Sequence, residues 1–509
     1  MSSLIELIRG GGILHSKLPQ KLQEIIKNEP HKLVIFINPP YAEAGNKKKM
    51  DNNEEQHKSG VATTNKTYEK YQGILGKASN EVFIQFFIRI CKEIPNCILG
   101  SFSKLKYLNS TNFLKFRETF KAEFKKGFMC PAWTFDNVKG QFPIGFLVWN
   151  LAQQNKIKKT KLDIFENGGK RVGKKNFYAS GDEKNIGVWL ASFREKNPQI
   201  HLAMMDSGRL GFQHQKLVHI ANQIGKQSHS LIITLTPSNL IPCCVYLAVR
   251  HSIKASWIND RDQFLCPNDK WQKDTEFQND CLAFTLFHNQ NYIKASISPS
   301  CAEGDKGGGY SGYINHFIPF SESQVGAKEA FKSDFMVRFI NGKLGKDDTA
   351  QSLRASKASA ASAYEGEAQS KIHKNNIDCH DFAPAKSRND NILPFDKKEI
   401  QASTQSFIPT KPLEFSKEAQ EVFSAGLALW RYYHAQAKNS DKYLNDASLY
   451  DIKEFFQGRA QSINGKKGKM NARSEDNHYN DLIAQLRITL QTLADKITPK
   501  IYEYEFLLE

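Results

Sequence analysis

The 509-residue sequence predicts an α/β fold, and three observations point there. Residues 33–37, LVIFI, form a continuous apolar, β-branched-rich run of strand length, the pattern of a parallel strand buried on both faces. Residues 81–94, EVFIQFFIRICKEI, read as a helix that is apolar over much of its surface. Residues 96–108, 127–133 and 143–151 read as further strands, with amphipathic helical spacing at 113–124 between the first two. Strand, helix, strand, helix, strand is the order of an α/β layer built on a largely parallel sheet.

The remaining elements follow in chain order. Leu18, Leu22, Ile25 and Ile26 recur at helical spacing, so a helix is expected over 18–28. Residues 42–79 are polar and rich in Lys, Asn, Gly and Thr, the composition of a long loop. Residues 161–178 read as two strands around a Gly168-Gly169 turn. From 180 to 340 short strands alternate with aromatic clusters and glycine-rich turns such as DKGGGYSGY at 305–313. Residues 343–406 are rich in Ser, Ala, Lys, Asp and Asn and have too little apolar surface to order themselves, which marks a low-complexity linker or insertion. Helical spacing returns at 415–438, 441–457 and 478–497. The expected division is therefore 1–155, 156–342, 343–406 and 407–509: an α/β layer, a mixed α/β region, a linker and a helical C-terminal region.

Lys and Arg number 70 against 53 Asp and Glu, a formal net charge of +17. Such a surplus suits a polyanionic partner, nucleic acid first, because its phosphates release counterions when Lys and Arg bind. The alternative is a lysine-rich, merely solvated surface. No apolar run reaches membrane-span length, and the N-terminal residues lack a signal-peptide pattern, so a cytoplasmic protein without membrane contact is expected. The nine cysteines are scattered, with no zinc-ribbon spacing; they read as reduced thiols, and no metal site is expected.

The chemistry concentrates at Asn38-Pro39-Pro40-Tyr41, directly after the apolar 33–37 run. The exocyclic amine of adenine is a poor nucleophile because its lone pair is delocalised into the ring. Two acceptors placed on its two protons shift the nitrogen towards tetrahedral geometry. An Asn side-chain oxygen supplies one and a proline carbonyl the other, since proline fixes φ and brings no competing N–H. An aromatic ring holds the base once it has left the duplex. The C-terminal end of a strand is where open α/β sheets bind ligands.

On these residues the chain resembles the N6-adenine-specific DNA methyltransferases of restriction–modification systems, in the gamma-like motif order. Their motif, Asn/Asp/Ser-Pro-Pro followed by an aromatic residue, is matched in full by Asn38, Pro39, Pro40 and Tyr41. The resemblance implies a partial Rossmann-like methyltransferase sheet over 1–155, a target-recognition region over 156–342 and a helical C-terminal segment. It implies that Asn38 and the Pro39 carbonyl grip adenine N6 while Tyr41 stacks on the flipped base. Phe142 is the candidate for the ring that closes the base's other face; a plain core phenylalanine is the alternative. Lys47, Lys48 and Lys49 are candidate contacts to double-stranded DNA, as is the basic stretch 465–473.

The family takes its methyl group from S-adenosylmethionine, bound by a glycine-rich turn after its first strand. The Asn-Pro-Pro strand is its fourth, so three βα units of about 30 residues each are expected ahead of it. Only 37 residues precede Asn38. The expectation is a truncated or split form whose cofactor site lies largely outside this chain, working with a separate N-terminal methyltransferase chain or a restriction subunit. An incomplete sheet of this kind is expected to leave a hydrophobic edge open. Two other readings stay open: a catalytically silent DNA-binding specificity subunit, and a methyltransferase acting on RNA.

Overall fold

The computed structural model describes residues 18–40, 63, 65–135, 140–179, 185–225, 230–295, 314–345, 407–461 and 468–509. Tyr41, Lys47, Lys48, Lys49 and nearly all of the 343–406 stretch lie outside the described residues.

The sequence order of elements produces a first core around a six-stranded sheet. Helix α1 (Gln20–Asn28) leads into β1 (Val34–Ile37); helices α2 (Lys66–Leu75) and α3 (Val82–Glu93) then precede β2 (Ile98–Lys104). A short helix, α4 (Leu114–Thr119), is followed by β3 (Glu123–Pro131), β4 (Pro143–Asn150), β5 (Lys159–Phe165) and β6 (Arg171–Tyr178). The spatial order is β1-β2-β4-β3-β5-β6. The sheet is mixed rather than largely parallel: β1–β2 and β3–β5 run parallel, while β2–β4, β3–β4 and β5–β6 run antiparallel. The reason lies in the connection from β3 to β4, residues 132–142, which is too short for the crossover a parallel neighbour needs, so β4 returns antiparallel beside β3. The sheet also continues through β5 and β6 to residue 178, past the division at 155 drawn from sequence. The β5–β6 turn uses Gly168 and Gly169 at φ +101° and +84°, conformations that only glycine adopts readily.

One face of this sheet is covered. Leu99, Leu147, Trp149, Met129 and Leu162 point into a core shared with Phe83 and Phe87 of α3. Phe116 and Phe120 stack there with ring centroids 5.0 Å apart. That anchoring explains why the helix expected over 113–124 ends at Thr119: Phe120 turns into the core, the Ala122 N–H donates to the Asn155 carbonyl at 3.0 Å, and β3 begins at Glu123. Tertiary packing here overrides the local helical spacing.

The second core runs from residue 186 to residue 507. It contains a small sheet in the order β8-β7-β9 (His219–Ala221, Ala203–Asp206 and Ile232–Leu235). Against it pack α5 (Leu240–Ser252), α6 (Thr275–Phe287), α7 (Lys417–Ala437), α8 (Leu449–Gln457) and α9 (Asn477–Glu503). Helices α5 and α6 are buried along almost their whole length, as central helices of a bundle must be, and their buried polar groups, such as Arg250 and Asp280, are paired within the core. Asp280 of α6 pairs with Lys496 of α9 at 2.7 Å and accepts from the Ser416 hydroxyl, the N-cap of α7, at 2.6 Å. The chain ends in a helical region, and its helices pack into the same core as residues from 186 onward. No helix among the described residues is long and apolar enough to cross a membrane.

Two stability predictions arise from this core. Gly426 of α7 lies against Phe287, and a Cβ placed there would stand 2.2 Å from the ring. Gly426→Ala should therefore destabilise by about 1–3 kcal/mol despite alanine's better helix propensity, measured by urea denaturation. Burial also depresses His214, His251, His316 and His434 from 6.5 to about 4, and takes His288 well below 6.5. Below 6.5 the unfolded chain binds protons that the native state refuses. Stability is thus full above 6.5 and declines as pH falls towards 4, which a melting series across that window should show as a steady drop.

The two cores meet through specific contacts. Asn109 donates to the Arg261 carbonyl at 2.6 Å, Lys175 pairs with Asp262 at 2.7 Å, and the rings of Trp133 and Trp257 meet edge to face at 6.1 Å.

Candidate functional site at the end of strand β1

Strand β1 is only four residues long and stands at the margin of the sheet. Its inner edge pairs in parallel with β2, from Val34 opposite Ile98 to Ile37 opposite Ser101. Its outer edge has no strand beside it among the described residues. Burial on both faces, expected from the apolar run, is not what the structure has. Ile37 is buried on the covered face, but Val34 is 72% exposed and Phe36 64% exposed on the other. The side-chain alternation of a strand splits the run this way, and no core reaches the second face.

That second face carries an aromatic file. Phe36 lies 5.5 Å from Phe146, Phe102 4.9 Å from Phe146, Phe128 5.8 Å from Phe146, and Phe165 5.6 Å from Phe128. These rings belong to neither core. They come from β1, β2, β4, β3 and β5 in turn, because cross-strand partners share a face.

The chain leaves β1 through Asn38, Pro39 and Pro40. Asn38 is exposed, Pro39 buried and Pro40 exposed. Parallel β1–β2 pairing and antiparallel β2–β4 pairing bring the C-terminal ends of β1 and β2 and the N-terminal end of β4 to one rim. Asn38, Lys104 and Phe142 therefore share that rim. Asn38 and Phe142 are two strands apart, roughly 10 Å sideways at the usual interstrand spacing. Behind the rim, the buried Glu81 carboxylate pairs with Lys104 at 3.6 Å and also with Lys106, so two cations are anchored at the end of β2.

Phe142 is half-buried, and its carbonyl accepts from the Ala132 N–H at 2.9 Å, which closes the β3–β4 connection. Its ring is not open on both sides. The Arg261 guanidinium, from the second core, lies 5.3 Å from its centroid. Sequence reasoning missed Arg261, Glu81 and the aromatic file. The phenylalanines at alternate strand positions carried the signal for the file; Arg261 is 119 positions beyond Phe142 and no local pattern announces it.

The arrangement supplies an acceptor oxygen on the Asn38 amide and main-chain carbonyls held by the proline pair. Among the described residues it does not supply a cradle for a nucleotide-like cofactor at a strand-to-helix turn. The Gly168-Gly169 turn joins two strands. The turn at 206–211 after β7 leads into a 3-10 helix, with its Ser207 and Gly211 carbonyls turned inward to Arg250. No protein-family model matches the chain, and no curated protein matches it.

Proposed function

We propose that this chain is the base-holding portion of a DNA methyltransferase that transfers a methyl group to N6 of a flipped adenine. The observation that carries the reading is the placement of Asn38-Pro39-Pro40: an exposed asparagine and a buried proline at the C-terminal end of a parallel strand, on an open rim. The order after Asn38 supports it, since two helices, a strand, a short helical stretch and two strands follow, in keeping with the later half of the Rossmann-like domain the sequence resembles. In this reading the Asn38 oxygen and the Pro39 carbonyl accept from the two N6 protons and raise the nitrogen's nucleophilicity. Phe142 and the Arg261 guanidinium form a flat wall on the far side of the rim.

S-adenosylmethionine supplies the methyl group in the resembling family, and the described residues do not fit it, for want of a glycine-rich turn into an α-helix. Since β2 occupies the inner edge of β1, strands bearing a donor site can join only at the outer edge. A separate methyltransferase polypeptide, or a restriction subunit, is the partner this implies, with the second core reading double-stranded DNA.

The test is radiolabel transfer from S-adenosylmethionine to duplex DNA and to RNA, by the chain purified from its own cells together with what accompanies it. Label recovered from DNA as N6-methyladenine is the expected result; label in RNA alone, or none, defeats the reading. The open margin gives a second prediction. Val34→Lys/Phe36→Lys should reduce self-association of the isolated chain in light scattering with only a small drop in melting temperature, because both side chains are largely exposed and only the Phe36 contact with Phe146 is lost.

A further inference from the structure

A cleft of about 430 Å³ opens in the second core, between the end of α5, the end of α6 and the facing sides of α8 and α9. Lys216 and Lys254 stand on one side of it, Lys453 and Arg487 on the other. No Asp or Glu lines it. None of the four cations forms an ion pair among the described residues. Lys453 is half-buried, and burial together with the Arg487 charge lowers its pKa, so the site holds positive charge that nothing in the described chain balances.

The remaining wall is flat and uncharged. His251 and His288 lie 4.7 Å apart at 32°, and Phe284 stacks behind His288 at 4.8 Å and 22°. The His251 Nε2–H donates to the Val218 carbonyl at 2.8 Å, and His288 Nδ1 accepts from the Gln290 N–H at 3.2 Å, which fixes both rings. Burial keeps both imidazoles neutral; His288 lies between His251 and Phe284, so the wall presents ring surface and ring edges without charge. Unbalanced cations beside fixed, neutral rings match a ligand that is anionic at one end and planar at the other.

We propose that this cleft binds a nucleotide unit, its phosphate between Lys453 and Arg487 and its base against the His251–His288 rings. A free nucleotide and a nucleotide of a single strand share this chemistry. The proposal rests on the second core alone and stands or falls apart from the role of Asn38.

The test uses the full chain, 5′-dAMP in calorimetry and a short fluorescein-labelled single-stranded oligodeoxynucleotide in anisotropy. The charge-removing variant is K453Q/R487Q, and K438Q/K442Q, at exposed positions away from the cleft, is the matched control. Thermal melting verifies that both variants fold. For at least one probe, K453Q/R487Q should weaken binding by about 10- to 100-fold while the control binds as the parent does. Loss with dAMP identifies a free nucleotide as the ligand; loss with the oligonucleotide alone identifies a strand, and its log K against log salt slope should then flatten by about 1.4. No binding of either probe by the parent, full retention by K453Q/R487Q, or an equal loss in the control overturns the proposal. N6-adenine transfer measured on the same preparations reports separately on the rim of β1.

Discussion

Asn38→Ala should remove N6-adenine methylation by a factor on the order of 10² to 10³, the usual cost of deleting one polar group that works on the reacting atom. Asn38 is exposed at the end of β1, so the fold should not depend on it, and the melting temperature should stay that of the parent. DNA affinity should also change little, because the substitution removes no charge. Loss of kcat with an unchanged DNA Kd is thus the signature of an acceptor acting on the amine. Asn38→Asp offers a sharper comparison: it keeps an acceptor oxygen but replaces a neutral amide with an anion, and residual activity above that of Asn38→Ala is expected. Methylation by Asn38→Ala at the parent's rate would remove the residue from the chemistry and leave a DNA-binding specificity subunit as the reading to pursue.

Arg250→Met should be among the most destabilising single changes in the second core. Arg250 is fully buried and forms no ion pair with a carboxylate among the described residues; instead it is held by neutral acceptors. Its Nη1 donates to the Ser207 carbonyl at 3.1 Å and to the Tyr246 hydroxyl at 2.7 Å, and its Nη2 to the carbonyls of Arg209 and Gly211. The guanidinium also packs over the rings of Phe264 at 4.9 Å and Tyr246 at 5.5 Å. Methionine fills much of the volume but takes the donor from the Arg209 carbonyl and one of two donors from the Ser207 and Gly211 carbonyls, which keep the Tyr246 hydroxyl and the His214 N–H, and it removes the guanidinium from between the Phe264 and Tyr246 rings. A loss of about 3 kcal/mol or more is expected, read as a melting temperature lower by roughly 10 °C. The 206–211 turn should open with it, since Gly208, at φ +59°, packs with almost no spare space against Val218. Faster amide exchange over 206–211 in Arg250→Met checks this directly.

Much of the first core was legible because its signals are local. The helical spacing of 18–28, the dense apolar helix at 82–93 and the glycine-turned β5–β6 hairpin all announce themselves within a window of about a dozen residues. Strand direction was not legible, since the direction of β4 depends on how the chain returns from β3. Nor was the exposure of β1: an apolar run reads the same whether its second face meets a helix or solvent. Phe36, Phe102, Phe128 and Phe146 each look like core residues in isolation, and only the register shows that they share a face outside both cores. At the rim, Asn38 is singled out in the sequence by its chemistry, whereas Arg261 reaches Phe142 only through the contact between the two cores.

In the proposed reading, that contact would couple recognition of DNA by the second core to the handling of a base at the rim. Arg261 sits between Asp260 and Asp262, and Asp262 is tied by Lys175 to the first sheet. A swing of the second core on its target would drag one guanidinium across the Phe142 ring like a shutter. Sequence recognition and access to the rim would then be geared to a single mechanical stop, so a mismatched site could be rejected before any bond to the amine is made.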